Sequence, residues 1–253
     1  MSPWVLSGLA TGIKSSRYPH RPETAAGVSP GLPAGCERTA GAALALAARC
    51  PTGALTAHGP HVQVDPRRCV HCFRCARDGQ DVVEWEDGFE WGACVASAPP
   101  LGPAFRGSVH IRVVDAGDCG ACLHEVRQLN NPYYNMHRLG FFISPTPRQA
   151  DVLLVVGPVT DHLREPLRKT YDAMPEPKRV VAVGACALTG GVFGASFVSA
   201  GGVAEVLPVD VEVPGNPPPP LAILHGLLVA VGRKPPAPWP AMATDNRGDG
   251  RGP

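Results

Sequence analysis

Nine cysteines stand at positions 36, 50, 69, 72, 75, 94, 119, 122 and 186, and their spacing points to chemistry more than their number does. Cys69, Cys72 and Cys75 form a C-x2-C-x2-C run, Cys119 and Cys122 form a C-x2-C pair, and the other four are single. Thiolates at such intervals can hold an iron–sulfur cluster or a zinc ion, whereas disulfides belong to secreted chains. The sequence opens without a charged-then-apolar leader, and apolar runs such as 152–156 and 227–231 are far too short for a bilayer span. The chain is therefore read as cytoplasmic, with its cysteines reduced and available to metal.

The ferredoxin motif C-x2-C-x2-C-x3-C-P supplies a test, because in two-cluster ferredoxins the last cysteine of each motif ligates the cluster held by the other motif. Cys69, Cys72 and Cys75 fill the first three positions of one motif, but Gly79 stands at its fourth. Counting back from Cys50-Pro51 as the end of the other motif places Ala40, Ala43 and Leu46 at its first three positions. The losses are complementary: one complete set of four survives, and every ligand of the other cluster is gone. This pattern predicts a [4Fe–4S] cluster on Cys50, Cys69, Cys72 and Cys75, with the abandoned site packed by Ala43, Leu46 and neighbours. Zinc is the bland alternative, disfavoured because zinc sites read as two separated C-x2-C knuckles. Cys36 and Cys94 are read as small buried hydrophobes.

The elements that must position these thiols divide the chain into four parts. Residues 1–30 read as an N-terminal arm, apolar at 4–9 and Pro/Gly-rich later. Residues 31–105 read as a small α+β ferredoxin-like domain. It has a helix at 40–48, a hairpin joining 53–57 to 61–64, and a second hairpin joining 82–85 to 89–91 about Asp87-Gly88. Residues 106–232 alternate valine-rich strands at 109–114, 152–156, 180–183 and 206–211 with helices at 122–130, 161–174 and 221–231. That order predicts an α/β fold with a parallel sheet covered on both faces. Residues 233–253 are Pro/Gly-rich and read as a disordered tail.

In open parallel sheets, ligands sit beyond the carboxyl ends of the strands. Cys119 and Cys122 follow the strand ending at Val114, Cys186 follows the strand ending at Val183, and Pro214-Gly215-Asn216-Pro217 follows the last strand. Three thiols on one rim predict a second metal site. The bland alternative is a C-x2-C pair that only packs.

The motifs on this rim, in order, resemble a known family. Asp115-x-Gly-x-Cys119-x-x-Cys122-x-x-Glu125, Asn131-Pro132, Gly157-Pro158-Val159-Thr160, Met174-Pro175-Glu176-Pro177-Lys178, Gly184-x-Cys186-Ala, Gly190-Gly191 and Pro214-Gly215-x-Pro217-Pro218 are similar to the small subunit of group 4 [NiFe] hydrogenases. They are equally similar to the cluster-bearing 20 kDa-type subunit of complex I. The N-terminal portion looks like the ferredoxin-type subunit of the same complexes, as if two neighbouring relay subunits were fused.

The resemblance implies a flavodoxin-like domain whose iron–sulfur cluster, on Cys119, Cys122 and Cys186, faces a large subunit: a hydrogenase large-subunit-like protein or its complex I counterpart. It implies electron relay with no catalytic residue on this chain. It also implies a peripheral position on the inner face of the cytoplasmic membrane, reached through partner membrane subunits. Asn216 stands where the family's fourth cysteine would be, and a neutral amide is a poorer iron ligand than a thiolate; with Asn216 as the fourth cofactor-binding candidate, the site is read as a [3Fe–4S] cluster, an unusually ligated [4Fe–4S] cluster or an empty site. His124 and Glu125 are candidates for supporting the site, against ordinary capping or solvated roles. The formal net charge of +1 leaves no basic field for nucleic acid, so a zinc-bearing nucleic-acid module is not supported.

Overall fold

The computed structural model describes residues 2–12, 14–77, 83–95 and 101–237. In chain order the elements are α1 (Pro3–Thr11), β1 (Leu32–Pro33), β2 (Cys36–Glu37), α2 (Ala40–Ala48), β3 (Leu55–His58), β4 (His61–Val64), β5 (Trp85–Glu86) and β6 (Ala93–Cys94). They continue with β7 (Val109–Asp115), α3 (Ala121–Gln128), β8 (Phe141–Ile143), β9 (Val152–Val156), α4 (Asp161–Asp172), β10 (Arg179–Val183), α5 (Ala185–Thr189), β11 (Val211–Val213) and α6 (Pro220–Ala230).

A six-stranded sheet runs β6-β11-β10-β9-β7-β8, parallel throughout except for β6, which pairs antiparallel with β11. Renumbered from β7, the parallel part has the 2-1-3-4-5 order of the flavodoxin-like fold, whose switch point falls between β7 and β9. Alternation along each strand builds two cores. Val152, Leu154 and Val156 face the layer that contains α3 and α6, while Leu153 and Val155 face Leu167 of α4 and Leu188 of α5. Being covered on both faces explains why β9 reads as unbroken Val/Leu.

Helix α6 is buried along its whole length and is apolar all round apart from His225. Gly226 lets it lie against the sheet, since a Cβ there would stand 2.2 Å from Val213 Cγ2. Gly226→Ala is expected to destabilise the protein by about 1–3 kcal/mol through overpacking, more than the about 1 kcal/mol that alanine gains over glycine in a helix. Gly41→Ala in α2, with open space around it, has only the helix gain. The two variants should therefore shift the melting temperature in opposite directions.

The small N-terminal unit is a three-stranded β2-β4-β3 sheet with α2 across it. Thr39 caps α2 by accepting from Ala42 N, and the apolar helix buries Ala43 and Leu46 against Leu55 and Val62. Positions where a second motif would need thiols thus serve as core, while Ala40 is exposed.

Several expectations are corrected. The second hairpin does not form: β5 pairs antiparallel with β1, and Val82 lies outside the described residues. Phe89 and Trp91 are drawn instead into the main core, where Tyr18 from the N-terminal arm meets Phe89 edge-on. The last strand begins at Val211 and not at 206, because Pro208 has no N–H to donate and Val211 is the first residue in register with β10. Cys94 is exposed on β6, so it is not a buried hydrophobe, whereas Cys36 is half-buried against the small core. Residues 233–237 pack on the body: Arg233 donates to the Phe105 carbonyl at 2.8 Å, and Lys234 pairs with Glu90 at 2.7 Å. The rest of the predicted tail lies outside the described residues.

Candidate functional site

Cys50, Cys69, Cys72 and Cys75 line one pocket, with Phe73, Trp85, Leu55, Ala54 and Pro33 completing its wall. Cys50 arrives at the end of α2, and the other three on the loop after β4. That loop curls because His71 and Phe73, between the cysteines, hold left-handed φ of 49° and 56°. Such conformations cost about 1–3 kcal/mol each for non-glycine residues, so the surroundings must fix them. Phe73 stacks on Trp85 at 4.3 Å, and His71 packs edge-on against Trp85 and Trp91. His71 is half-buried, and desolvation of its ring lowers its pKa to about 4, so the imidazole is neutral.

The thiols differ electrostatically. Burial raises Cys69 to about 12, opposed by a backbone hydrogen bond at His71 and reinforced by the other three thiols. Cys75 is also raised by burial, and the Trp85 indole, close but not in good hydrogen-bond geometry, counteracts it. At Cys50 burial is outweighed by N–H groups and the hydroxyl of Thr52, so its pKa falls. One polarised thiolate position beside desolvated thiols that ionise only against positive charge suits a cationic centre. Among the described residues, no three His, Cys, Asp or Glu side chains converge as ligands of a single metal ion.

The second set lies at the switch point. The β7–α3 loop is pinned by two carboxylates. Asp115 Oδ1 accepts from Gly117 N at 2.9 Å and Asp118 N at 2.7 Å, and Asp118 Oδ2 accepts from Gly120 N at 2.9 Å and Leu123 N at 3.1 Å. These bonds satisfy N–H groups at the start of α3, set Cys122 in its buried first turn and leave Cys119 exposed. Cys186 enters from the first turn of α5, half-buried. Two glycines make the approach possible. A Cβ at Gly184, which has a φ of 91°, would stand 2.4 Å from Cys122 Sγ, and one at Gly191 would stand 2.8 Å from Cys186 Sγ. Burial raises Cys122 and Cys186 above the ordinary thiol range, and Asp118 and the neighbouring thiols add to this. Cys119, Cys122 and Cys186 therefore share one electrostatic neighbourhood, which includes Asp118.

Asn216 follows β11 on the same rim, and its Nδ2 donates to the Val70 carbonyl at 3.4 Å. Val70 lies inside the C-x2-C-x2-C loop of the first set. Nearby, the Thr189 hydroxyl reaches the Arg67 carbonyl at 3.4 Å. Arg67 is itself held by Asp65 at 3.1 Å and faces the buried Glu212, whose carboxyl is raised by burial. The loop from 65 to 70 thus lies across the α5 and β11 ends of the sheet, and the two cysteine sets flank this seam.

The other candidates take lesser places. Glu125 is half-buried and raised by desolvation, and exposed His124 is near Gln128 at 3.2 Å. The reading of residue types missed Asp118, whose only signal was a carboxylate next to a C-x2-C pair at a helix start. It also missed the aromatic wall of Phe73 and Trp85, which needs the fold to assemble.

Residues 119–230 match the family described as NADH ubiquinone oxidoreductase, 20 Kd subunit. An uncharacterized protein of Methanocaldococcus jannaschii is 47% identical over 121 residues, which cover 48% of this chain and 81% of the relative. A protein named as a probable membrane-bound hydrogenase subunit of Pyrococcus furiosus is 42% identical over 118 residues, 47% of this chain and 71% of the relative. Formate hydrogenlyase subunit 7 of Escherichia coli is 38% identical over 125 residues, about half of each chain. A chain from the structure of an archaeal membrane-bound sulfane sulfur reductase superposes with a TM-score of 0.46 at 30% identity, covering 51% of this chain and 71% of that one. All these matches leave out much of this chain. Through its α/β domain, the chain belongs to the family of the 20 Kd subunit of NADH ubiquinone oxidoreductase, which includes hydrogenase subunits.

Proposed function

We propose that this chain is an iron–sulfur electron-transfer subunit of a multi-subunit [NiFe]-hydrogenase-like or complex I-like oxidoreductase, passing electrons to or from a large partner subunit. The observation that carries this reading is the seam. The loop that carries Cys69 and Cys72 is joined to the sheet rim that carries Cys119, Cys122 and Cys186 by the contacts of Asn216 with Val70 and of Thr189 with Arg67. A relay needs redox centres held close in one rigid frame, and such centres supply one-electron chemistry that side chains cannot.

Cys50, Cys69, Cys72 and Cys75 would hold a [4Fe–4S] cluster, and Cys119, Cys122 and Cys186 a second iron–sulfur cluster. The chain's own residues fix the thiols, exclude water with Phe73 and Trp85, and tie the two sites together. Past Cys186, Val192, Phe193 and Phe197 are exposed, Phe197 at 96%, which suits a rim covered by a partner. Among the described residues no helix is long and apolar enough to cross a membrane. Attachment through partner subunits on the inner face of the cytoplasmic membrane is the arrangement that fits.

Iron, acid-labile sulfide and zinc in the anaerobically purified complex test the reading. Iron and sulfide are expected in matching amounts, with the Cys69 and Cys119 sets each accounting for part. Stoichiometric zinc without sulfide would exclude the relay. Iron at the first set alone would leave a structural subunit whose α/β site has lost its cluster, the alternative that Asn216 favours.

A further inference from the structure

We infer that Asp118 supplies the fourth ligand at the second site, its carboxylate Oδ1 taking the place left open by the absent fourth thiolate; this rests on the reading of Cys119, Cys122 and Cys186 as a cluster site. The two oxygens of Asp118 have unlike surroundings. Oδ2 is fully used in capping the start of α3, by the bonds from Gly120 and Leu123. Oδ1 is enclosed from solvent and has no partner in good hydrogen-bond geometry, with the Cys122 thiol close by. Capping explains one oxygen and leaves the other as a buried acceptor beside a cysteine of the site, an arrangement that an ion or cofactor held by that cysteine would complete.

Asp118 is next in sequence to Cys119, and its other oxygen is anchored on Gly120 N and Leu123 N, which flank Cys122 in the chain, so the carboxylate is held beside the cysteine pair. Asn216 is differently placed. Its amide is engaged with the Val70 carbonyl on the other cysteine loop. It is also neutral, so as a ligand it would leave the site one negative charge short. A carboxylate restores the charge of a fourth thiolate and offers a hard oxygen acceptable to iron. Ligation forms one iron–oxygen bond from a carboxylate lone pair at the open iron corner, and no other bond breaks.

The test uses the full chain in its anaerobically purified complex, comparing wild type with Asp118→Asn, Asp118→Cys, Asn216→Ala and Cys119→Ser by iron and sulfide quantitation, Mössbauer and electron paramagnetic resonance. Asp118→Asn keeps an amide oxygen to cap α3 but removes the anionic ligand. It should convert the second site from a four-iron to a three-iron species, with one iron lost and a new signal from the oxidised three-iron form. Asp118→Cys and Asn216→Ala should both retain four irons. An unchanged spectrum and iron content in Asp118→Asn, or a three-iron species already in wild type, would overturn the Asp118 assignment and leave the relay reading intact. If Cys119→Ser changes nothing because wild type holds iron only at the first set, both fail together.

Discussion

Cys72→Ser is expected to empty the first site of iron and sulfide and to unfold most of the small N-terminal unit, while the parallel sheet keeps its structure. The size of the effect follows from how little else holds that unit. Its buried apolar core is Ala43, Leu46, Leu55, Val62 and Val83, too small to stabilise a free-standing domain. The loop carrying three of the thiols also bears two left-handed non-glycine residues, His71 and Phe73. In such a unit metal binding is folding free energy, on the order of 10 kcal/mol by analogy with structural zinc sites.

A serine hydroxyl neither ionises readily nor matches the softness of thiolate, so the lost ligand is not replaced. Hydrogen exchange should accelerate across β2, β3 and β4 while β9 and β10 stay protected, since the latter are buried on both faces. Cys36→Ser, in the same small sheet but outside the pocket, is the control and should keep the iron. Equal iron and sulfide in Cys72→Ser and wild type would remove this cluster from the account.

Asn216→Cys is expected to lower the reduction potential of the second site by less than about 100 mV, because its thiolate displaces the Asp118 carboxylate, a ligand of the same charge that donates less to iron. The substitution adds a thiolate where the family pattern has one and removes the amide that donates to Val70. The more strongly donating thiolate stabilises the oxidised form relative to the reduced one. Lost docking across the seam costs only about 0.5–1.5 kcal/mol, the net worth of one hydrogen bond. Asn216→Ala separates the two effects, because it breaks the same bond without adding a thiolate. Its potential should stay near wild type. A redox titration of the second site, followed by electron paramagnetic resonance, reads the difference. No shift in Asn216→Cys, together with iron at the first set alone, would mean a rim repacked by side chains, which one cysteine could not reopen.

Much of the candidate site is legible in one dimension because iron–sulfur ligation is written in short spacings. The C-x2-C-x2-C run, the lone Cys50-Pro51 and the crossing rule of paired motifs together select the four cysteines that line one pocket. The α/β order and the position of each second-set cysteine after a strand follow from hydrophobic period and strand length, since a strand buried on both faces has to be Val/Leu-rich. Local chemistry and local period determined these features, so no tertiary information was needed to find them.

Tertiary structure decided what depends on partners distant in sequence. Phe89 and Trp91 read as half a hairpin, yet burying two aromatic rings in the main core outweighs a short two-stranded pairing. Strand β11 begins late because its register is set by β10 and by Pro208. That Asn216 engages Val70 across 146 residues of sequence, and that one oxygen of Asp118 is buried without a partner in good hydrogen-bond geometry, could come only from the packed chain. A hydrogen bond between loops, like an orphaned oxygen, is a property of three-dimensional neighbours, and spacing along the chain carries no record of it.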